Sequence, residues 1–162
     1  MAIEYKHDVF ISYARKDYVD SNTKEVIPGN IISTIRDCLK ENGISYTMDE
    51  EGNLTGKEFA PIIAGQIRES MVFLFVCSKE SVASEWVRRE LSVASALRKH
   101  IIPFICDDSF MDDKVIMFTT SLDQIEYYKN PKKEIAKLVK AILNDKEELE
   151  EERKKEEELR RT

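Results

Sequence analysis

Short apolar runs of strand length alternate with segments of helical spacing along most of this chain, and that alternation restricts the folds open to it. Strands are predicted at residues 7–13, 44–48, 71–77 and 101–106, with a weaker edge strand at 122–128. Parallel strands need crossover connections, which helices usually supply. The pattern therefore predicts an α/β fold with a central parallel sheet of about five strands and helices on both faces.

The segments between these runs carry apolar residues at helical spacing. Helices are predicted at residues 28–42, 59–70 and 84–99 and from Pro131 onward, with Gly43 ending the first of them. The side chains expected to face the core are Ile31, Ile32, Ile35, Cys38, Leu39, Ile62, Ile63, Ile67, Ile135, Leu138, Val139 and Ile142.

One carboxylate is out of place on the helix predicted at residues 84–99. Its apolar arc is formed by Ala83, Trp86, Val87, Leu91, Val93, Ala94 and Leu97. Glu90 lies inside this arc, one turn after Trp86. A carboxylate there is desolvated unless a partner, water or a ligand meets it. Two interpretations are open: a structural carboxylate that is salt-bridged or lies at the open end of the helix, and a functional group.

Three chain segments are expected to meet at one end of the sheet. They are residues 12–16, 49–59 and 78–90, each of which follows a predicted strand. In an open parallel sheet, ligands bind at the carboxyl ends of the strands. Gly52 and Gly56 allow the second segment to form a tight, mobile loop. The sequence therefore predicts a ligand site built from these segments.

The side chains of these segments indicate the kind of ligand. Arg15 and Lys16 provide positive charge, and Phe59 and Trp86 provide flat apolar surfaces for stacking. Together with the carboxylate of Glu90, they suit a nucleotide whose reacting end is a cationic ring. These residues also have structural interpretations. Arg15 and Lys16 fit a solvated loop, and Phe59 fits a residue that anchors its helix in the core.

Composition excludes several classes of function. The chain has 162 residues, enough for one domain, and its net charge of −6 argues against general affinity for nucleic acid or anionic membranes. No apolar run approaches the roughly 18 residues of a membrane span, and the N-terminus lacks a signal-peptide pattern. With two histidines and three separated cysteines (Cys38, Cys77 and Cys106), we expect no metal site and buried thiols of a cytoplasmic protein.

The last residues differ in composition from the rest. Between residues 146 and 162 only Leu149 and Leu159 are apolar, and the remainder is almost entirely charged. Such a segment cannot form a core. We therefore divide the chain into a domain at 1–145 and a charged helical tail or linker at 146–162. The tail is interpreted as a connection to a fused or partner domain, a self-association segment or a frayed extension.

Several motifs, in their order and spacing, resemble those of the Toll/interleukin-1 receptor (TIR) domain family. They are the first box Asp8-Val9-Phe10-Ile11-Ser12-Tyr13, the loop residues Asp49, Leu54, Gly56 and Phe59, the step Ile67-Arg68-Glu69-Ser70, the signature Ser78, Ser84, Trp86, Glu90 and Leu91, and the box Ile102-Pro103-Phe104-Ile105. The resemblance covers roughly residues 7–144. Val87 departs from it, because many adaptor members have cysteine there, and the 14–29 loop is longer than is typical.

The resemblance implies a flavodoxin-like three-layer fold and one of two functions. Some TIR domains are adaptors or receptors that act by assembling with other TIR domains. Others, including many bacterial and plant members, cleave NAD+ at the nicotinamide–ribose bond with the glutamate that corresponds to Glu90. By the same resemblance, Trp86 is the aromatic residue before that glutamate, Phe59 lies near nicotinamide, and Arg15 meets phosphate.

On this basis we predict an NAD+ nucleosidase of the bacterial type that releases nicotinamide and ADP-ribose or a cyclic isomer, in signalling or defence. NAD+ is its substrate, no further cofactor is expected, and other TIR domains are its expected partners. The alternative is a non-catalytic TIR–TIR interaction module; a flavodoxin-like nucleoside deoxyribosyltransferase fits the ordered motifs less well. The predicted site residues are Glu90 as the catalytic group and Trp86, Phe59, Tyr13, Arg15, Lys16, Asp49 and Gly56 as substrate-binding residues.

Overall fold

A computed structural model describes residues 4–48, 56–107 and 124–161, with the backbone alone over residues 56–60. Residues 49–55 of the segment predicted as a loop at 49–59, and the region at 108–123 with the start of the strand expected at 122–128, lie outside the described residues. Residues from Gly56 onward are helical, so the predicted loop extended too far.

The described part of the chain forms a five-stranded parallel sheet. Its strands are β1 (His7–Ser12), β2 (Tyr46–Met48), β3 (Ser70–Cys77), β4 (His100–Ile105) and β5 (Ile125–Glu126). They are arranged in the order β2-β1-β3-β4-β5, and every adjacent pair is parallel. This order is that of flavodoxin-like folds, so the predicted fold class is confirmed.

Strands β1, β3 and β4 form the centre of the sheet and are buried on both faces. This burial explains their nearly continuous apolar sequences, such as the run from Met71 to Cys77. In the register of β1 with β3, Ile11 lies beside Leu74 and Ser12 beside Phe75. The outer strands β2 and β5 are shorter than predicted.

Helices connect the strands and cover the sheet. They are α1 (Ile31–Glu41), α2 (Gly56–Arg68), α3 (Lys79–Val82), α4 (Glu85–Ala96) and α5 (Pro131–Arg161). The apolar side chains of α1 and α5 pack on one face and those of α2 and α4 on the other. Because successive side chains of a strand point to opposite faces, Phe10 and Ser12 belong to the α2–α4 face, and Ile11 and Tyr13 to the α1–α5 face.

Helix α1 begins later than the sequence predicted. Pro28 does not start it; Gly29 has a φ of +70°, and Asn30 is the N-cap. The Asn30 side chain accepts a hydrogen bond from the backbone N–H of Ser33 at 2.7 Å. A side-chain acceptor at the N-terminus therefore defines the start better than the proline does. The predicted helix end at Gly43 is confirmed, with φ +68°.

One residue expected in the core is exposed. Ile63 and Ile67, four residues apart on α2, are fully buried, whereas Ile62 is 43% exposed. Adjacent helix positions differ by about 100°, so α2 cannot turn both Ile62 and Ile63 toward the sheet. The prediction for Ile62 was wrong.

Helix α5 runs without interruption from Pro131 to Arg161, through the division predicted between residues 145 and 146. Near that division, Nδ1 of His100 lies 2.5 Å from Oδ2 of Asp145, and Lys146 forms an ion pair with Asp8 at 3.1 Å. These contacts anchor the middle of the helix to the amino ends of β4 and β1. Within the described ranges, every helix is too short or too polar to cross a membrane.

The packing of α5 gives a matched pair of substitutions. Leu138 is fully buried against the sheet, whereas Leu143 on the same helix is 41% exposed. We expect Leu138→Ala to lower the free energy of unfolding by about 2–4 kcal/mol, since it leaves a cavity. Leu143→Ala is expected to change it by less than about 1 kcal/mol. Urea denaturation measures both, and equal losses would contradict the packing described.

Candidate functional site

The carboxylate of Glu90 lies inside the protein, as its place within the apolar arc of the predicted helix indicated. Glu90 is 1% exposed and sits in the second turn of α4. The hydroxyl of Ser12, itself fully buried at the end of β1, donates a hydrogen bond of 2.8 Å to Oε1 of Glu90. A buried carboxylate needs such donors because it has lost its water. The contact joins two motifs that are 78 residues apart in the chain.

Local capping fixes the helix that carries Glu90. Ser84, the first residue of the helix predicted at 84–99, is the N-cap of α4, and its side chain accepts a hydrogen bond from the N–H of Val87. The preceding short helix α3 begins with a reciprocal capping box between Ser78 and Ser81. Arg88 then donates two hydrogen bonds, of 3.1 and 2.8 Å, to the carbonyl of Val82 at the end of α3. These contacts give α4 a defined start and therefore place Glu90 reproducibly.

A cleft of about 450 Å³ lies beside the buried carboxylate. Its lining comes from the end of β1, from α3 and from the first turns of α4, and consists of Ala14, Arg15, Lys16, Glu80, Ala83, Ser84, Glu85, Trp86 and Arg89. Trp86 is half-buried, one turn before Glu90. Glu90 does not line the cleft; its carboxylate lies deeper in the protein.

Two ion pairs lie in the lining of this cleft. Nζ of Lys16 lies 3.9 Å from a carboxylate oxygen of Glu80, and Arg89 contacts Glu85 at 3.1 Å. All four side chains are substantially exposed, so these ion pairs are weak and readily exchanged for a charged ligand. The cleft therefore combines replaceable cations with the ring of Trp86.

A further contact, which the sequence did not predict, links the N-cap of α3 to the turn that follows β1. The hydroxyl of Ser78 donates a short hydrogen bond to Asp17, in the 3-10 turn Arg15–Asp17 that follows β1. Burial raises the pKa of Asp17 above its ordinary value, and the nearby charges of Glu80 and Asp107 raise it further, whereas the bond from Ser78 lowers it. The only signal in the sequence was the position of Asp17 after the first box.

The cysteines at the strand ends are not activated nucleophiles. Burial raises the pKa of Cys77 to about 12 and also raises the pKa of Cys106, with nearby acidic groups adding to both shifts. Their thiolate fractions at neutral pH are therefore very small.

The predicted site residues fall into three groups. Arg15, Lys16 and Trp86 line the cleft beside Glu90. Tyr13 is 4% exposed and lies on the other face of the sheet, edge-on to Tyr18 at 5.9 Å between ring centroids. Asp49 and the side chain of Phe59 lie outside what the structure describes, and Gly56 is the first residue of α2.

A model of the TIR domain family matches residues 9–143. The chain belongs to the TIR domain family. The match spans β1 to the buried part of α5 and includes Ser12 and Glu90, so the buried contact lies within the TIR domain itself. No curated protein sequence matches the chain.

Solved TIR domains share the fold at low sequence identity. The TIR domain of the Toll-related receptor TRR-2 from Hydra magnipapillata is 21% identical, with a TM-score of 0.55 over 81% of this chain and 99% of that one. A TIR-STING receptor from C. gigas is 18% identical, with a TM-score of 0.54 over 85% of this chain. The same receptor in complex with 2′,3′-cGAMP is 19% identical, with a TM-score of 0.51 over 86% of this chain. This chain spans about two fifths of the receptor, 42% and 41% in the two structures.

The buried position of Asp17 predicts a pH dependence of the stability of this TIR domain. Because its pKa is raised in the folded state, the protonated form contributes stability that is fully present below the ordinary pKa of 3.8 and is lost as pH rises through the raised value. Asp17→Asn removes that loss while keeping an acceptor for Ser78. We expect the variant to gain stability relative to the wild type between pH 4 and pH 7. Urea denaturation at both pH values measures this, and a difference that does not change with pH would contradict it.

Proposed function

We propose that this TIR domain cleaves NAD+ at the nicotinamide–ribose bond, with Glu90 as the catalytic carboxylate. The observation that carries the proposal is the buried contact between Glu90 and Ser12 beside a cleft that holds Trp86 and exposed cations. A desolvated acid at the ligand-binding end of a parallel sheet is characteristic of an active site.

The chemistry of NAD+ needs one acid group of this kind. Nicotinamide is already a cationic leaving group, so its departure needs no proton, and positive charge develops on the ribose as the bond breaks. A fixed carboxylate beside the ribose stabilises that charge, and it does so more strongly in a site from which water is excluded. In the proposal Glu90 has this role, and Ser12 positions it by fixing Oε1.

The remaining residues of the cleft bind the rest of the dinucleotide. Trp86 stacks on the nicotinamide or covers the ribose, and Arg15 with Lys16 holds the pyrophosphate, as charge-assisted hydrogen bonds to phosphate allow. Lys16 exchanges its long contact with Glu80 for the phosphate. Since Glu90 is 1% exposed and lies outside the described cleft lining, the proposal requires the residues around it to rearrange when NAD+ binds.

The group that attacks the ribose determines the product. Water gives linear ADP-ribose, whereas an atom of the same molecule gives a cyclic isomer, and the residues of the cleft are compatible with either.

Substitution of Glu90 tests the catalytic assignment. Glu90→Gln keeps the size of the side chain and an acceptor for Ser12 but removes the charge, so we expect nicotinamide release to fall at least about 100-fold. Release is measured by chromatography, with thermal unfolding as the check on folding. Glu147→Gln, which makes the same change at an exposed carboxylate of α5 outside the cleft lining, is the control and is expected to keep most of the activity. Normal turnover by a folded Glu90→Gln variant would refute the assignment.

A non-catalytic interaction module is the second candidate function. The observation that favours it is the depth of Glu90, which is 1% exposed and outside the cleft lining. In that case the contact with Ser12 is structural, and the wild-type protein releases no nicotinamide.

We also propose that the TIR domain self-associates and that activity depends on assembly, because the sequence between β2 and α2 is polar and contains Gly52, which suits a contact that completes the site. The rate of nicotinamide release per protomer is expected to rise with protein concentration, in parallel with the oligomer fraction seen by light scattering. A full rate from a strictly monomeric, dilute sample would rule this out.

A further inference from the structure

A second cleft lies on the α1 face of the sheet, across β1 from Glu90. It has a volume of about 560 Å³, within the range of small-molecule sites. Its described lining comes from the end of β1, the segment after it, α1 and β2, and consists of Tyr13, Arg15, Tyr18, Val19, Arg36, Tyr46, Thr47 and Met48. Like the first cleft, it opens at the carboxyl ends of the strands, where parallel sheets bind ligands.

Arg36 is held in a fixed position in this cleft. Its Nη1 donates a hydrogen bond of 2.7 Å to the hydroxyl of Tyr18, and its Nε donates one of 2.9 Å to the hydroxyl of Tyr46. The guanidinium carbon also lies 5.9 Å and 5.6 Å from the centres of the two rings. Within the described residues, Nη2 makes no hydrogen bond. The side chain is thus oriented in advance, and one nitrogen still has protons to donate.

The partners of Arg36 leave its charge available. Phenol hydroxyls are neutral acceptors, so they orient the guanidinium without cancelling its charge as a carboxylate would. The described lining contains two arginines, Arg15 and Arg36, and no acidic residue, whereas the cleft beside Glu90 combines three cations with two carboxylates. In a chain of net charge −6, the described lining of this cleft is therefore locally cationic.

The segment that closes the cleft is ordered by its own contacts. Tyr18 donates its backbone N–H to the carbonyl of Arg15, and its own carbonyl accepts a hydrogen bond of 2.9 Å from Ile27. Val19 and Val26 form an antiparallel bridge across the same segment. These bonds hold the ring of Tyr18 against Arg36, so the cleft does not depend on a ligand for its shape.

We propose that this cleft binds a nucleoside monophosphate, with Arg36 as the main ligand of the phosphate and Arg15 at its rim. A guanidinium with a free edge matches the oxygens of a phosphate group. The volume is much larger than a phosphate ion, and the tyrosine rings with Val19 and Met48 offer an apolar surface for a base. The proposal does not rest on NAD+ cleavage, since Arg15 is the only described residue that lines both clefts.

Titration of the full chain with AMP and, separately, with inorganic phosphate tests the proposal by calorimetry. AMP is expected to bind saturably and more tightly than phosphate. Arg36→Gln and Val19→Glu are each expected to weaken AMP binding about tenfold or more, since one removes the charged donor and the other adds a repelling charge to the cleft lining. Val19→Glu leaves Arg36 and its two tyrosine partners unchanged, so the test holds even if Arg36→Gln unfolds.

Two controls locate the binding. Thr34→Glu adds the same charge at an exposed position of α1 outside this cleft, and Arg89→Gln alters the cleft beside Glu90. Both are expected to keep the affinity for AMP. The proposal is overturned if the wild type binds no AMP at millimolar concentration, if phosphate binds as tightly as AMP, or if Arg89→Gln weakens binding while Val19→Glu does not. None of these results bears on nicotinamide release, so this proposal and the proposed function fail separately.

Discussion

The contact between the Ser12 hydroxyl and the Glu90 carboxylate is the interaction on which this account depends. It places a carboxylate almost entirely out of water between the first strand and the fourth helix. An apolar residue at position 90 would fit the surrounding arc of Val87, Leu91 and Ala94 without any such donor. A buried carboxyl group costs desolvation, and the proposed catalytic role would account for its presence there.

The alternation of side chains along β1 places neighbouring residues of the first motif on opposite faces of the sheet. Ser12 faces α2 and α4 and meets Glu90, while Tyr13, the next residue, faces α1 and belongs to the opposite core. Arg15 follows the strand and reaches both clefts. The first motif of the chain therefore serves two faces of the sheet, and a substrate in one cleft and an anion in the other would share this arginine.

Much of the fold could be predicted from the sequence because the sheet is buried on both faces. Its central strands are solid apolar runs and its helices carry apolar stripes, so the approximate number of strands and their alternation with helices follow from period and length, whereas the strand order does not. The errors lie where local chemistry competes with a simple signal. Asn30 rather than Pro28 caps the start of α1. Ile62 faces solvent because the orientation of α2 buries the adjacent residue Ile63 instead. Glu90 could be singled out because it interrupts an apolar arc, whereas its partner Ser12 could not. That pairing, like Ser78 with Asp17 and Arg36 with Tyr18, depends on chain segments that meet only after folding.

A crystal structure of the Glu90→Gln variant with bound NAD+ tests the central claim most directly, because the slowed variant retains its substrate. The account predicts nicotinamide in the cleft of Trp86 and the ribose within hydrogen-bonding distance of the side chain at position 90. NAD+ bound elsewhere, with that side chain still packed on Ser12 inside the core, would contradict it.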